Sequence, residues 1–324
     1  MYISLISKYK KQLMAIAMLW IAIYHSNFPI HSRLITFVLV VCGYGGIYLF
    51  SFISGMGIFF SCSKEESYGK YIRRRLLRIL PYGLPIIIAF ALRHRTPLRS
   101  ILVDCLGLSI FVSPNLINWF TSFIITAYVL SPFYYRLFTK KPLLVTALTS
   151  SLITTLCMLI NNETISYIYI CFTVYCIGFY FGYLIYNKHE PKFLNIVMIF
   201  MMAMGWILMH YCYHHFGNDV THVYPMIMIA PGMLLIITFI LDKITVFNKL
   251  LDFIGSYTYV FYLIHMEVIG ILYFNYELLY RPGIYFDVLI NAAGIIIAFI
   301  LSVIYQNMID LIKKLIIKCA IKDG

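Results

Sequence analysis

The sequence predicts an all-α fold: a polytopic membrane helix bundle of about ten transmembrane helices, with both termini cytoplasmic. Three observations carry that expectation. Charged residues make up 12% of the 324-residue chain and hydrophobic ones 62%, with a mean hydropathy of +0.86, whereas soluble domains carry about 25% charged residues. Apolar runs long enough to cross a bilayer recur from end to end. The lysines and arginines between those runs sort by loop, as the positive-inside rule requires. No soluble-length polar stretch interrupts the pattern, so residues 1–324 read as one membrane domain.

Taken in order, the first run (12–30) follows Lys8, Lys10 and Lys11 and reads as a signal anchor rather than a cleaved leader. Further runs lie at 35–62, 79–93, 98–112, 118–138, 143–160, 165–186, 193–213, 222–241, 254–275 and 285–312. The run at 98–112 is short and contains Asp104 and Gly107, so it reads as re-entrant or interfacial. Irregular backbone cannot face lipid, and this segment is expected to pack inside the bundle or line a cavity. The charges arbitrate the count. With ten spans, twenty of the 25 basic residues fall inside and five (Arg33, Arg93, Arg95, Arg99 and Arg281) outside. If 98–112 also crossed, the split would be ten against fifteen.

The net charge of +12 is spread between the apolar runs, where it orients the chain in a membrane rather than forming a nucleic-acid surface. Eight cysteines (42, 62, 105, 157, 171, 176, 212 and 319) are scattered without a CxxC pair. They read as small buried hydrophobes, neither disulfides nor a metal cage, and no metal site is expected.

Ionisable groups at bilayer depth mark function more often than packing. His25 stands in IAMLWIAIYHSNF, fourteen residues past Lys11. That is roughly 21 Å of helix, at or beyond mid-depth. His265 and Glu267 share the run at 254–275, and Asp104 lies in the short segment. A second cluster, YGKYIRRRLLRILPYG (68–83), holds Arg73, Arg74, Arg75 and Arg78 just before Pro81. Arg75 and Arg78 share a helix face, and forked guanidinium groups there suit phosphate. Plain anchoring is the alternative, but four lysines would anchor equally well.

These stretches resemble the acyltransferase-3 family of membrane O-acyltransferases. The matching segments are YHS (24–26), GYGGIYLFSFISG (43–55), RRLLRILP (74–81), NWFTSFIITAYVLSPFYYRL (118–137), FTVYCIGFYFGYLI (172–185) and FIGSYTYVFYLIH (253–265). Each is loose alone; six in series along nearly the whole chain are specific. The resemblance implies transfer of an acyl group, most often acetyl, from acyl-CoA as co-substrate to a hydroxyl of a glycan, lipid-linked glycan or other envelope acceptor. It implies no bound cofactor, no nucleic acid, and a multi-pass setting in the bacterial cytoplasmic (inner) membrane. His25 would be the general base, with a direct acyl-histidine as an alternative route. Arg74, Arg75, Arg78 and Lys11 would hold the donor, with Tyr24, Ser26, Ser54, Trp119, Tyr257, His265 and Glu267 in support. One departure stands out. Eleven residues before its histidine the family usually has arginine or lysine, and here that place is Met14. Lys11 or Lys10, about one turn earlier, would have to reach up instead. No soluble hydrolase-like domain is expected after residue 324.

Other signals point away from chemistry. HHFGND (214–219) holds His214 and Asp219 at soluble-acyltransferase spacing, but in an outer loop. His214, His215 and His222 lack the cysteine or carboxylate partners of a closed metal site. Gly178 and Gly182 read as helix-packing residues. No phosphate loop of ATP-driven pumps occurs. Arg33, His94, Arg95 and Arg99 form an outer basic set suited to loop solvation or an anionic acceptor. The alternatives from other classes are a glycan or lipid transporter or flippase, and an inactive family member acting as a scaffold.

Overall fold

The computed structural model describes residues 3–26, 45–64, 67–112, 119–160, 162–216, 224–279 and 284–322. Every element in them is a helix. In chain order these are α1 (Ser4–Lys8), α2 (Lys10–Tyr24), α3 (Gly45–Cys62), α4 (Tyr68–Leu76), α5 (Leu80–Arg93), α6 (Leu98–Cys105) and α7 (Ser109–Val112). There follow α8 (Trp119–Phe138), α9 (Pro142–Ile160), α10 (Glu163–Tyr186), α11 (Lys192–Phe216), α12 (Met226–Lys243), α13 (Asn248–Gly255), α14 (Thr258–Leu279) and α15 (Ile284–Lys322). Six of them (α3, α9, α10, α11, α12 and α15) are long and apolar enough to cross a bilayer. Eight spans result if the bent pairs α4–α5 and α13–α14 each count as one. Arg33, Cys42, Asn118, Asp219, His222 and Arg281 lie outside the described residues.

The core forms around α3 and α10, the most buried of the spanning helices, while α9, α11 and most of α15 turn apolar faces outward. A helix apolar all round belongs in such an interior, but two such helices approach closely only where side chains are small. Gly55 of α3 meets the Tyr175 carbonyl of α10, and Gly178 meets the Phe52 carbonyl, so a methyl at either would collide with backbone. Gly182 repeats the contact one turn on, where a Cβ would come within 2.8 Å of the Met56 carbonyl oxygen. The glycine pair therefore packs helices, as its spacing predicts. Hydroxyls within the spans return to the carbonyl four residues earlier, Ser51 to Ile47 at 2.9 Å and Ser302 to Ala298 at 2.6 Å. No polar atom of those serines needs water. Cys157, Cys171, Cys176 and Cys212 are buried free thiols, as the sequence predicts, whereas Cys319 is exposed.

Two bends position the site. Pro81 has no N–H to give the Leu77 carbonyl and cannot continue α4, so the chain turns by 48° and α5 starts at Leu80. The three arginines 73–75 occupy the last turn of α4, where the helix dipole favours cations. Arg78 falls in the turn itself, not on the helix face with Arg75 that the three-residue spacing predicts. The second bend, 79° between α13 and α14, brackets the start of α2. Gly255 sits there against the Lys11 carbonyl, in room that no larger residue would leave.

The short segment at 98–112 departs from expectation in one respect. It forms α6 and α7 around Gly107 at φ +70°, and neither helix crosses. It packs against the bundle on one side only: Asp104, Ser109 and Ile110 are buried, while Leu98, Leu102 and Leu106 make an exposed apolar stripe. Short helices leave their terminal backbone groups open, which interfacial water can satisfy, and the stripe suits a helix lying in the membrane interface.

Polar contacts between distant helices close both ends of the bundle. At one, Lys8 reaches Asp242 of α12 at 3.2 Å, Tyr82 donates to Asp310 of α15 at 2.5 Å, and Lys313 lies over the Tyr82 ring at 3.6 Å. The Tyr9 hydroxyl and then Asp242 hold the exposed Lys8 ammonium above its usual range. At the other end, Arg93 and His94 close on Glu267.

Candidate active site

The basic end contains a group of cations turned inward. Arg75 is only 9% exposed, with its guanidinium carbon 5.8 Å from the Tyr71 ring and 5.5 Å from that of Tyr128. Such aromatic faces stabilise a cation without a counter-ion, and Arg75 Nε has no hydrogen-bond partner among the described residues. Arg78 lines a cavity of about 140 Å³ together with Met14, Ser54, Tyr128, Tyr259 and Tyr262. Lys10 turns in beside them. Its Nζ occupies the space a Cβ on Gly57 would need, and the charges acting on it are those of Arg75 and Arg78. No described carboxylate is among the groups that act on Lys10 or Arg78.

Lys11 is not part of this group. It is exposed, and its backbone serves as the floor beneath Gly255. One residue along a helix is about 100° of rotation, so where Lys10 faces the bundle Lys11 faces away. Arg74 stands at the edge of the group, donating to Ser61 Oγ at 2.6 Å.

The histidines meet beyond the cavity. His25 caps the C-terminus of α2, its backbone N–H bonded to the Ile21 carbonyl; the residue is exposed while its ring packs on Tyr24 at 5.0 Å. Ser26 is turned back onto the Ala22 carbonyl at 2.7 Å. The His25 ring lies 5.3 Å from that of His265, which is wholly buried on α14. His265 Nδ1 stands 2.6 Å from the Tyr262 carbonyl. A carbonyl only accepts, so Nδ1 carries the proton and Nε2 carries the lone pair. That Nε2 has no partner among the described residues. Neither histidine lines the 140 Å³ cavity. Tyr262 belongs to both groups, since it lines the cavity while its ring lies 5.7 Å from His265 and 5.0 Å from Phe120.

The remaining residues expected in support are spread elsewhere. Ser54 does line the cavity. Trp119 is buried against Tyr167 and Phe120, at 5.0 and 5.8 Å, and packs the core. Tyr257 sits in the α13–α14 bend against Phe253 and Phe299. Glu267 is engaged by His94 at 2.5 Å and by Arg93 at 3.4 Å, which ties α14 to α5 and draws His94 of the outer basic set into structure. His214 and His215 lie on α11 against His210 and Tyr211. Sequence reasoning missed Tyr128, Tyr259 and Tyr262 as cavity walls. The signal was present, because Phe120, Ile124 and Tyr128 recur every four residues and Tyr259 and Tyr262 are three apart, each set on one helix face.

Fold and site together define an integral membrane helix bundle with a cationic pocket at one end and paired imidazoles deeper along the same helices. The chain belongs to the acyltransferase-3 family: the family's sequence model, described as an acyltransferase domain, matches residues 13–306, nearly the whole length. No match was found among curated proteins or among solved structures. The protein is thus a membrane acyltransferase by family.

Proposed function

We propose that this protein moves an acyl group, acetyl in the simplest case, from cytoplasmic acyl-CoA to a hydroxyl of a glycan, a lipid-linked glycan or another envelope acceptor, with His25 as general base. The observation that carries the reading is the pairing of an inward cation cluster, Lys10 of α2 with Arg75 and Arg78 of the α4–α5 bend and no described carboxylate acting on Lys10 or Arg78, with the His25 and His265 imidazoles, the first of which closes the helix that Lys10 opens. Acyl-CoA combines phosphate groups with a long flexible arm ending in a thioester. Lys10, Arg75 and Arg78 would take phosphate oxygens by charge-assisted bonds, and the arm would enter the 140 Å³ cavity past Met14. Reaching His25 then requires the Phe120 and Tyr262 rings to turn aside.

In the reaction the acceptor hydroxyl gives its proton to His25 as its oxygen attacks the thioester carbonyl carbon. The carbon–sulfur bond breaks, and the imidazolium returns the proton to the departing thiolate. The products are the ester and free CoA. His265, its Nδ1–H committed to the Tyr262 carbonyl, would position the His25 ring. The inward course of Lys10 supports the enzyme over the scaffold, since it supplies a cation where Met14 supplies none.

The same reading takes α2 and α8 as two spans beyond the eight, making ten, with the basic end and both termini cytoplasmic in a bacterial inner membrane. The test is incubation of purified protein with labelled acetyl-CoA and candidate glycans. Label in the glycan is the expected result. Substrate flux across vesicles without acylation would replace the enzyme with a transporter, and neither outcome would leave a scaffold.

A further inference from the structure

A second cavity, of about 200 Å³, lies at the basic end beside the first. Its walls include Tyr68 and Tyr71 of α4, Cys62 of α3, and Pro132, Tyr135 and Arg136 of α8. Arg75 touches a wall of each: its guanidinium faces Tyr71, which lines the larger cavity, and Tyr128, which lines the smaller. Arg74 stands at the rim, bonded to Ser61, which is also part of the wall. Pro132 lies inside α8 and has no N–H for the Tyr128 carbonyl four residues back, so a polar acceptor is freed in the same helical turn.

The wall chemistry is distinctive. Three phenol rings and a flat proline offer apolar faces with polar edges, the Arg136 guanidinium offers planar, bidentate anion contacts, and no carboxylate is among the described wall residues. A lipid tail would find too many polar edges here, and a bare phosphate would leave the rings unused. A flat heterocycle carrying phosphate uses both. We propose that this cavity seats the adenosine 3′-phosphate portion of the donor, with adenine among Tyr68, Tyr71 and Tyr135 and the ribose phosphate on Arg136. The pyrophosphate would then cross at Arg75 and the arm continue into the smaller cavity. This rests on the acyl-CoA reading above, and divides the donor site into a nucleotide half and an arm half.

The test measures binding of two donor fragments to the purified full-length protein, adenosine 3′,5′-bisphosphate and 4′-phosphopantetheine. Arg136 is exposed, so Arg136→Met should fold normally. It should weaken the bisphosphate about tenfold, the loss of one charge-assisted contact, and leave phosphopantetheine unchanged. Tyr135→Leu should weaken the bisphosphate as well, and Arg78→Met should show the reverse preference. Bisphosphate affinity that is unaltered by both Arg136→Met and Tyr135→Leu, or undetectable in the unmodified protein, overturns the proposal. Arg136-dependent bisphosphate binding in a protein that transfers no acyl group would keep the nucleotide seat and remove the acyl-transfer reading, so the two failures are distinguishable.

Discussion

Lys10 and Lys11 illustrate how much a single residue step decides inside a helix bundle. Both carry the same charge and both stand about a turn before Met14, yet one joins Arg75 and Arg78 while the other faces out beside Gly255. Lys10→Met should therefore raise the donor KM about tenfold with little change in kcat, the pattern of a lost binding contact, whereas Lys11→Met should leave both unchanged; steady-state kinetics at varied acetyl-CoA checks the pair. Gly57→Ala offers a second route to the same residue, because the added methyl takes the place of Lys10 Nζ without removing a charge. Its expected signature is also a raised KM. At the histidines, His25→Ala should lower turnover by about 10²- to 10⁴-fold, the span of general-base contributions, with insertion into the membrane intact. His265→Ala should cost less, since it acts through the orientation of the neighbouring ring. Equal and small losses in both variants would remove the imidazole pair from the chemistry.

Among the elements, α3 and α10 carry the fold because their glycines let two predominantly apolar helices approach until a Cβ would meet backbone. Gly178→Ala would push a methyl into the Phe52 carbonyl. Overpacking of this kind typically costs about 1–3 kcal/mol, so the variant should melt several degrees lower in detergent, read by thermal unfolding. The same pair was legible in the sequence as small residues four apart. The α4–α5 bend was legible only in part. Pro81 announced a helix start, but the position of Arg78 in the turn depended on where α4 ended, and a proline leaves that choice to the packing of the residues before it. The segment at 98–112 forms two helices too short to cross, and it is enclosed on one side only. Its hydropathy is the same on either side of the interface, and only the exposed stripe of Leu98, Leu102 and Leu106 distinguishes them.

At the scale of the whole molecule, Lys8, Asp242, Tyr82, Asp310 and Lys313 gather at one end, and Arg93, His94 and Glu267 at the other. The ten-span topology predicts that a cysteine-reactive, membrane-impermeant label reaches a tag in the 161–164 loop from outside the cell and a tag beside Lys140 and Lys141 only after permeabilisation. The reverse pattern would invert the membrane orientation and move the cation cluster away from cytoplasmic donor.

Membrane class, helical content and approximate span positions were determined by the sequence alone, because transfer of apolar residues into lipid is a sum over local composition and needs no knowledge of neighbours. The family was legible for the same reason, its motifs being short and ordered along the chain. Which lysine turns inward, that Glu267 is spent on Arg93 and His94, and that Arg75 lies against both Tyr71 and Tyr128 were decided only by tertiary structure. Each depends on the rotation of one helix against another, and that angle is set by side chains distant in the chain.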